Sequence, residues 1–364
     1  VSTLSAENHD SKGISQRKAK HLEICVKKEL YSVEGGKTGL EEIRFPHFSL
    51  PEISLGDVDL TTIFLGRSVA LPLFISCMTG GSSEGFLANK ELARAAQETG
   101  IGVGMGSHRI LFRDESVFEH FHLRPLAPDV PIFSNMGGIQ IREIPHEKLI
   151  EMNKRLEVDA QVIHLNPAQE IFQPDGDQDF RGIKDAIRRF IEASPIPVIV
   201  KETGCGIAPK EAVELLAMGA GYVDVAGSGG TNWILVEAAR GGTRELSDGQ
   251  EFQDWGWPTA LLLDSLKGLP QTRGKVLASG GLRNGTDLAK ALALGAALGG
   301  MALPFIRRVT EGGSEAVLEL IDEIRISLAR IMVLTSCKKP EQLAALPLYF
   351  PSGWDNVKSW ALRT

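Results

Sequence analysis

Within seven consecutive residues, 164–170, the sequence HLNPAQE brings together an imidazole, two amides and a carboxylate. His164 can serve as a base or a hydrogen donor near neutral pH. Asn166 and Gln169 can orient a polar ligand, and Glu170 can hold one side of a hard cation through oxygen. One carboxylate does not make a metal site, so a Mg2+ here would draw its other oxygens from water and from the phosphates of a ligand. Lys201 ends the apolar run PVIVK, and burying an unpaired ammonium costs several kcal/mol. Either it pairs with Glu202 or a neighbouring carboxylate, or it faces negative charge on a ligand.

Three glycine-rich segments offer backbone N–H groups: GSGGT at 227–231, ASGGLRNGTD at 278–287 and LGGMALP at 298–304. Each could be a tight turn. If they sit together at strand ends beside a helix start, they form a phosphate site, and Arg283 beside the glycines favours that reading. Three such loops suit the ribityl phosphate of FMN, and Lys201 would then face the ring edge that carries charge in reduced flavin. A basic cluster, Arg17, Lys18 and His21, lies in a short amphipathic stretch starting at Gln16. It is either a solvated helix face or a flap over a diphosphate at the mouth of its own or a neighbouring barrel.

These residues need a scaffold that makes them converge. From about residue 71 eight short apolar runs recur, at 71–79, 101–107, 131–137, 160–166, 197–204, 222–230, 275–281 and 298–304. Helix-like stretches separate them, several opening on Pro or Asp and closing on Gly. Alternation of this kind implies a parallel sheet, and eight strands favour a (β/α)8 (TIM) barrel, an α/β fold, over an open sheet. The G-x-G-x-x-G fingerprint of the open dinucleotide-binding sheet is missing after the first strand. Residues at the strand ends then share one mouth: Met78 and Thr79, Ser107 and Arg109, Asn135, His164 and Asn166, Lys201, residues 229–231, Gly281 with Arg283, and Ala302. The stretch 231–274, with Trp233, Trp255 and Trp257, is a long insertion after strand six that reads as a lid or a subunit contact. An amphipathic helix over 315–334 closes the barrel, and a Pro- and Trp-containing tail packs outside it.

Residues 1–15 read as a flexible polar arm and 16–364 as one barrel domain with its extensions. The net charge of -7 and pI near 5.7 offer no general attraction to nucleic acid or anionic lipid, so phosphate binding must be local. Cys25, Cys77, Cys205 and Cys337 are widely spaced, which excludes a zinc motif and suits reduced thiols in a cytoplasm. No apolar run approaches the roughly 18 residues of a membrane span. A soluble protein is expected.

The ordered motifs RKAKHLE, DLTTIFLGR, CMTGG, GSHRI, SNMGG, HLNPAQE, VKETG, DVAGSGGTNW and GGLRNGTD resemble the type 2, FMN-dependent isopentenyl-diphosphate delta-isomerases over almost the whole chain from Gln16. The resemblance implies FMN contacts at Cys77, Met78, Thr79, Ser107, Asn135, Lys201, Thr231, the turn of Gly281, Leu282 and Arg283, and Ala302 with Leu303. It implies substrate contacts at Arg17, Lys18, Arg109, His164, Asn166 and Gln169, with Glu170 on Mg2+. The implied reaction is a reversible 1,3-proton shift between isopentenyl and dimethylallyl diphosphate in isoprenoid biosynthesis, without net redox, on flavin reduced by NADPH. Gln169, His164 and Lys201 would carry the catalytic roles, in a homo-oligomer of four or eight subunits. Two positions depart from the family pattern: Ala226, where a serine often reaches the flavin, and His108, where a small or amide residue is more usual.

Two other readings compete. A hydroxyacid oxidase on the same barrel needs a His and an Arg near strand seven, and an inosinate dehydrogenase needs a Cys in the loop after strand six. The end of strand seven has Arg283 and no His, and GSGGTNW has no Cys. A flavin-storage protein would have no use for HLNPAQE.

Overall fold

The structure is a computed structural model that describes the backbone of residues 2–241 and 243–364 and the side chains of 13–241 and 247–364. Eight parallel strands form a closed barrel, each lying within one of the eight apolar runs. They are β1 (Leu73–Ile75), β2 (Gly102–Gly104), β3 (Ile132–Gly137), β4 (Ala160–Leu165), β5 (Val198–Glu202), β6 (Tyr222–Asp224), β7 (Val276–Ala278) and β8 (Leu298–Met301). Most strands are shorter than their runs because the last residues of those runs leave the sheet to form the mouth; β3 alone extends to the end of its run. Closure is made by β8 on β1, with Gly299 opposite Leu73 and Met301 opposite Ile75.

The helices in chain order are α1 (Ser2–Val26), α2 (Ser83–Thr99), α3 (Gly138–Glu143), α4 (His146–Arg155), α5 (Pro167–Phe172), α6 (Ile183–Ala193) and α7 (Pro209–Ala217), followed by α8 (Trp233–Gly241), α9 (Thr243–Gln250), α10 (Thr259–Lys267), α11 (Gly285–Ala293), α12 (Leu303–Leu334) and α13 (Trp354–Ala361). The arm expected over 1–15 lies outside the described side chains as far as residue 12, and α1 begins well before Gln16. In the insertion after β6, α8 and α9 are additions and α10 is the regular barrel helix. The closing helix α12 starts directly after β8 and breaks at Gly312 and Gly313, the latter with φ of 64°. The tail packs outside: Trp354 Nε1 donates to Asp264 Oδ2 at 2.9 Å, and Trp360 stacks on Trp257 with centroids 4.6 Å apart.

A hairpin absent from the sequence reading, Thr62–Phe64 with Arg67–Val69, plugs the end of the barrel opposite the mouth. Phe64 is fully buried, with ring centroids 6.1, 5.8 and 5.1 Å from Phe74, Phe133 and Tyr222. Glycines make room for these rings. A Cβ on Gly300 would stand 2.3 Å from the Phe74 ring, and one on Gly104 would stand 2.8 Å from Phe133. Above this aromatic floor the interior turns polar, at Ser76, Cys77, Lys201 and Asp224.

Phe64→Ala should lower the unfolding free energy by about 3–5 kcal/mol through the cavity it leaves. Urea unfolding measures it, and a loss below about 1 kcal/mol would show that the plug does not support the barrel.

Candidate active site

The mouth is one cleft. Of the mouth residues named from the sequence, all line it except Gly229, Gly230 and Thr79, the last of which accepts a hydrogen bond from Gly106 N at 2.6 Å through its own carbonyl. That bond ties the loop after β1 to the loop after β2.

One wall comes from β7, β8 and the segment that follows α1. α12 begins at Ala302 with no side-chain cap and with Pro304 in its first turn, which leaves N–H groups and the positive end of the helix dipole at the cleft. α11, by contrast, is capped by Asn284. Gly281 has φ of 84°, and a Cβ there would meet Thr38 Cγ2 at 2.2 Å, so only glycine fits. The segment after α1 braces this wall: Gly35 N donates to Gly230 O at 3.2 Å and Gly229 N to Gly35 O at 3.1 Å. Arg283 reaches the cleft, but its guanidinium is held by Glu34, with Nε at 2.9 Å. Arg307 shares the same carboxylate at 2.8 Å. Two guanidiniums on one carboxylate leave the wall net positive.

The opposite wall comes from β4 and α5. Backbone pairing places His164 beside Lys201, and Lys201 beside Asp224, in one layer. Asn135 Oδ1 lies 2.6 Å from His164 Nδ1. A carbonyl oxygen only accepts, so Nδ1 carries the hydrogen and Nε2 presents a lone pair. Burial, followed by the charges of Lys201, Arg109 and Lys18, pushes the His164 pKa down to about 3, so the ring is neutral at physiological pH. Gln169 is fixed at both ends of its amide, donating to Glu237 Oε1 at 2.9 Å and accepting from Asn166 Nδ2 at 3.0 Å. Asn166 Nδ2 also donates to Glu170 Oε1 at 2.9 Å, and Glu170 Oε2 accepts from Asp177 N at 3.1 Å.

Lys201 is 7% exposed and donates to the Glu202 carbonyl at 2.5 Å. The Glu202 side chain points the other way and accepts the N–H groups of Gly204, Cys205 and Gly206. The ion pair that the sequence left open is therefore not made. Asp224 is also engaged, on Ser279 N and Oγ at 2.8 Å each.

The basic cluster of α1 comes over its own barrel, with Arg17, Lys18 and His21 lining the cleft beside Arg109. Lys18 Nζ donates to Ser107 O at 2.5 Å, and burial lowers its pKa to about 7. Sequence reasoning missed Glu237, which is fully buried on α8. It binds Gln169, takes Arg240 Nε at 2.8 Å and sits 2.9 Å from His21 Nε2, a contact without hydrogen-bond alignment. Burial raises its pKa, but the nearby His21, Gln169 and Arg240 leave it lowered on balance. A glutamate inside the apolar stretch WILVEAA was the available signal. Gln140 and Trp233, also unassigned from sequence, line the cleft too.

Fold and site together define a (β/α)8-barrel protein of the FMN-dependent class: the sequence matches the family described as FMN-dependent dehydrogenase over residues 140–348. Solved structures agree on the fold alone. A mandelate oxidase superposes with TM-score 0.63 at 18% identity, over 89% of this chain and 95% of its own. A lactate oxidase of Pediococcus acidilactici gives 0.65 at 17%, over 93% and 94%. Much nearer in sequence are proteins named isopentenyl-diphosphate delta-isomerase. That of Borrelia garinii subsp. bavariensis is 40% identical, over 91% of this chain and 92% of its own. That of a Synechococcus is 43% identical, over 86% and 91%, and that of Archaeoglobus fulgidus 39%, over 95% and 98%. The chain belongs to the isopentenyl-diphosphate delta-isomerase family, in its type 2, FMN-dependent class.

His108, fully buried beside this cleft, has its pKa pushed down to about 3, first by burial and then by Lys18. The unfolded chain takes up that proton near pH 6.5 and the folded one only near pH 3, so folded stability falls as pH drops through this window. His108→Asn should flatten the loss by up to about 1.4 kcal/mol per pH unit. Chemical denaturation at stepped pH measures this, and parallel slopes for both proteins would refute the assignment.

Proposed function

We propose that this chain interconverts isopentenyl and dimethylallyl diphosphate by a 1,3-proton shift, with reduced FMN, Mg2+ and NADPH as the reductant of the flavin, and that it works in the cytoplasm as a homo-oligomer. What carries the reading is the pairing within one cleft of a backbone wall suited to phosphate with a set of amides and a neutral imidazole held in place by hydrogen bonds.

The residues present fit FMN. The uncapped start of α12 and the turn of Gly281, Leu282 and Arg283 would take the phosphate, with Ala302 and Leu303 beside it. Cys77, Met78, Ser107, Asn135, Lys201 and Thr231 line the cleft between that wall and the opposite one, where they would hold the ring. Lys201, without a carboxylate partner among the described residues, would balance negative charge on it. Reduced flavin, when bound, supplies acid–base chemistry next to the substrate with no net transfer of electrons. Ala226, with φ of 40°, lines the cleft without a hydroxyl, so the family's serine contact is replaced by packing.

Arg17, Lys18 and Arg109 would clamp the diphosphate. Among the described residues no group of three or more His, Cys, Asp or Glu side chains is placed to hold a metal. Glu170 fits Mg2+ only as one ligand among phosphate oxygens and water. With the diphosphate held, the small apolar tail has one orientation, and such positioning supplies much of a rate. Gln169, unable to rotate its amide, would present a fixed donor and acceptor to the reacting carbons. A histidine that protonates only near pH 3 is a weak base at neutrality, so His164 would orient the substrate through Nε2 and not store the migrating proton.

Purified protein incubated anaerobically with isopentenyl diphosphate, FMN, Mg2+ and NADPH should form the dimethylallyl isomer. No product, or equal product without flavin, refutes the proposal. In the same assay Lys201→Ala should reduce kcat by about 100-fold or more and weaken FMN binding. Glu170→Gln should raise the Mg2+ needed for half-maximal rate by about 10-fold or more, and an unchanged Mg2+ dependence would remove Glu170 from the metal.

A further inference from the structure

Three amides at the mouth are committed within the protein: Asn135 to His164, Asn166 to Gln169 and Glu170, and Gln169 to Glu237. Gln140 lines the same cleft, and its amide makes no hydrogen bond among the described residues. It stands on a rigid base. α3 follows β3 with no loop between them, Gly137 being both the last residue of the strand and the N-cap of the helix. Ile139 and Ile141 on either side of Gln140 are buried, and Arg142 Nη1 donates to the carbonyls of Asp179 and Arg181 at 2.7 and 2.9 Å. An amide carried on a fixed backbone and left without a protein partner is suited to a ligand.

Gly137 clears its place. Its φ of -74° is open to any residue, so the position is constrained by volume and not by conformation. A Cβ there would stand 2.4 Å from Gln140 Oε1 and 3.1 Å from His164 Nε2, so the amide and the lone-pair edge of the imidazole lie against the same strand end. Gln140 also lines the groove that continues outward past Arg113 and Arg240. Arg17, Arg109 and Gln140 are the three residues shared by cleft and groove, and they mark the rim between the two. A ligand that turns its apolar tail to the flavin carries its outermost phosphate to this rim.

We propose that Gln140 is a further substrate-binding residue, whose amide N–H donates to the terminal phosphate of the diphosphate alongside Arg17 and Arg109. The inference rests on the reading of those two arginines as diphosphate contacts and assigns the outer end of the ligand. Guanidiniums attract phosphate from a distance wherever its charge lies. A neutral amide attracts little at a distance and forms one directed bond at one place. Gln140 therefore favours a ligand whose second phosphate reaches the rim over one that stops a phosphate short of it.

The test is calorimetric titration of the protein loaded with oxidised FMN and Mg2+ with isopentenyl diphosphate and, separately, with isopentenyl monophosphate, which has the same tail and lacks the terminal phosphate. Gln140→Leu should weaken the diphosphate by about 10-fold or more and leave the monophosphate within about twofold of the wild type. Gln140→Glu keeps the shape of the side chain and sets a carboxylate against the phosphate, so it should weaken the diphosphate by about 100-fold or more. Either variant alone decides the matter, with its flavin absorbance as the measure of a folded, loaded protein. Wild-type affinity for the diphosphate in a loaded variant overturns the inference and leaves the arginine clamp standing. Equal weakening of both ligands also overturns it, because a general disturbance of the mouth does not distinguish the two. If the wild type binds isopentenyl diphosphate no better than the monophosphate, the clamp itself fails, and this inference with it.

Discussion

The seam between β8 and β1 is the constraint on which the rest of the molecule depends. Parallel pairing across it closes eight strands into a ring, and a closed parallel ring delivers every strand's C-terminal end to one rim. The seam exists because Gly299 and Gly300 face Leu73 and Phe74 in register. A side chain on Gly300 would occupy the space of the Phe74 ring. That ring in turn packs with Phe64 and Phe133 into the floor on which the polar layer of Lys201 and Asp224 stands. Side-chain volume at the bottom of the barrel thus sets where charge can be placed at the top.

Charge at the mouth is sorted by partner. The chain carries a net charge of -7, yet its cleft is rich in cations, because the buried acids nearby are satisfied elsewhere. Glu202 takes three backbone N–H groups, Asp224 takes Ser279, and Glu237 takes Gln169 and Arg240. Lys201 and Lys18 are left resting on carbonyl oxygens. A carbonyl orients an ammonium without cancelling its charge, so the site keeps its attraction for an anion while remaining hydrogen-bonded in the protein. Two buried histidines near these cations, His108 and His164, stay neutral because burial and neighbouring positive charge both oppose a further proton.

Much of this was legible beforehand. The eight apolar runs predicted eight strands, since a buried parallel strand must be apolar on both faces, and the polar residues that ended them predicted the mouth. The polar residues of HLNPAQE, the glycine turns after β7 and in β8, Thr231 and Lys201 all line the cleft, because a residue at a strand end has little choice of direction. Other features had no local signature. The hairpin plug is two strands of three residues each, too short to show a period. Thr79 resembles its neighbours Cys77 and Met78 in sequence, yet it does not line the cleft that they line.

By itself, then, the sequence determined the barrel and the identity of most groups at its rim, because strand periodicity and strand-end chemistry are local properties that survive in one dimension. Only the tertiary structure decided which charges meet. It placed α1 over its own barrel, gave Arg283 to Glu34, turned Glu202 away from Lys201 and put Glu237 behind Gln169. These pairings join residues from separate elements, and the side-chain directions that settle them are fixed only once burial and hydrogen bonding have been satisfied across the whole mouth at once.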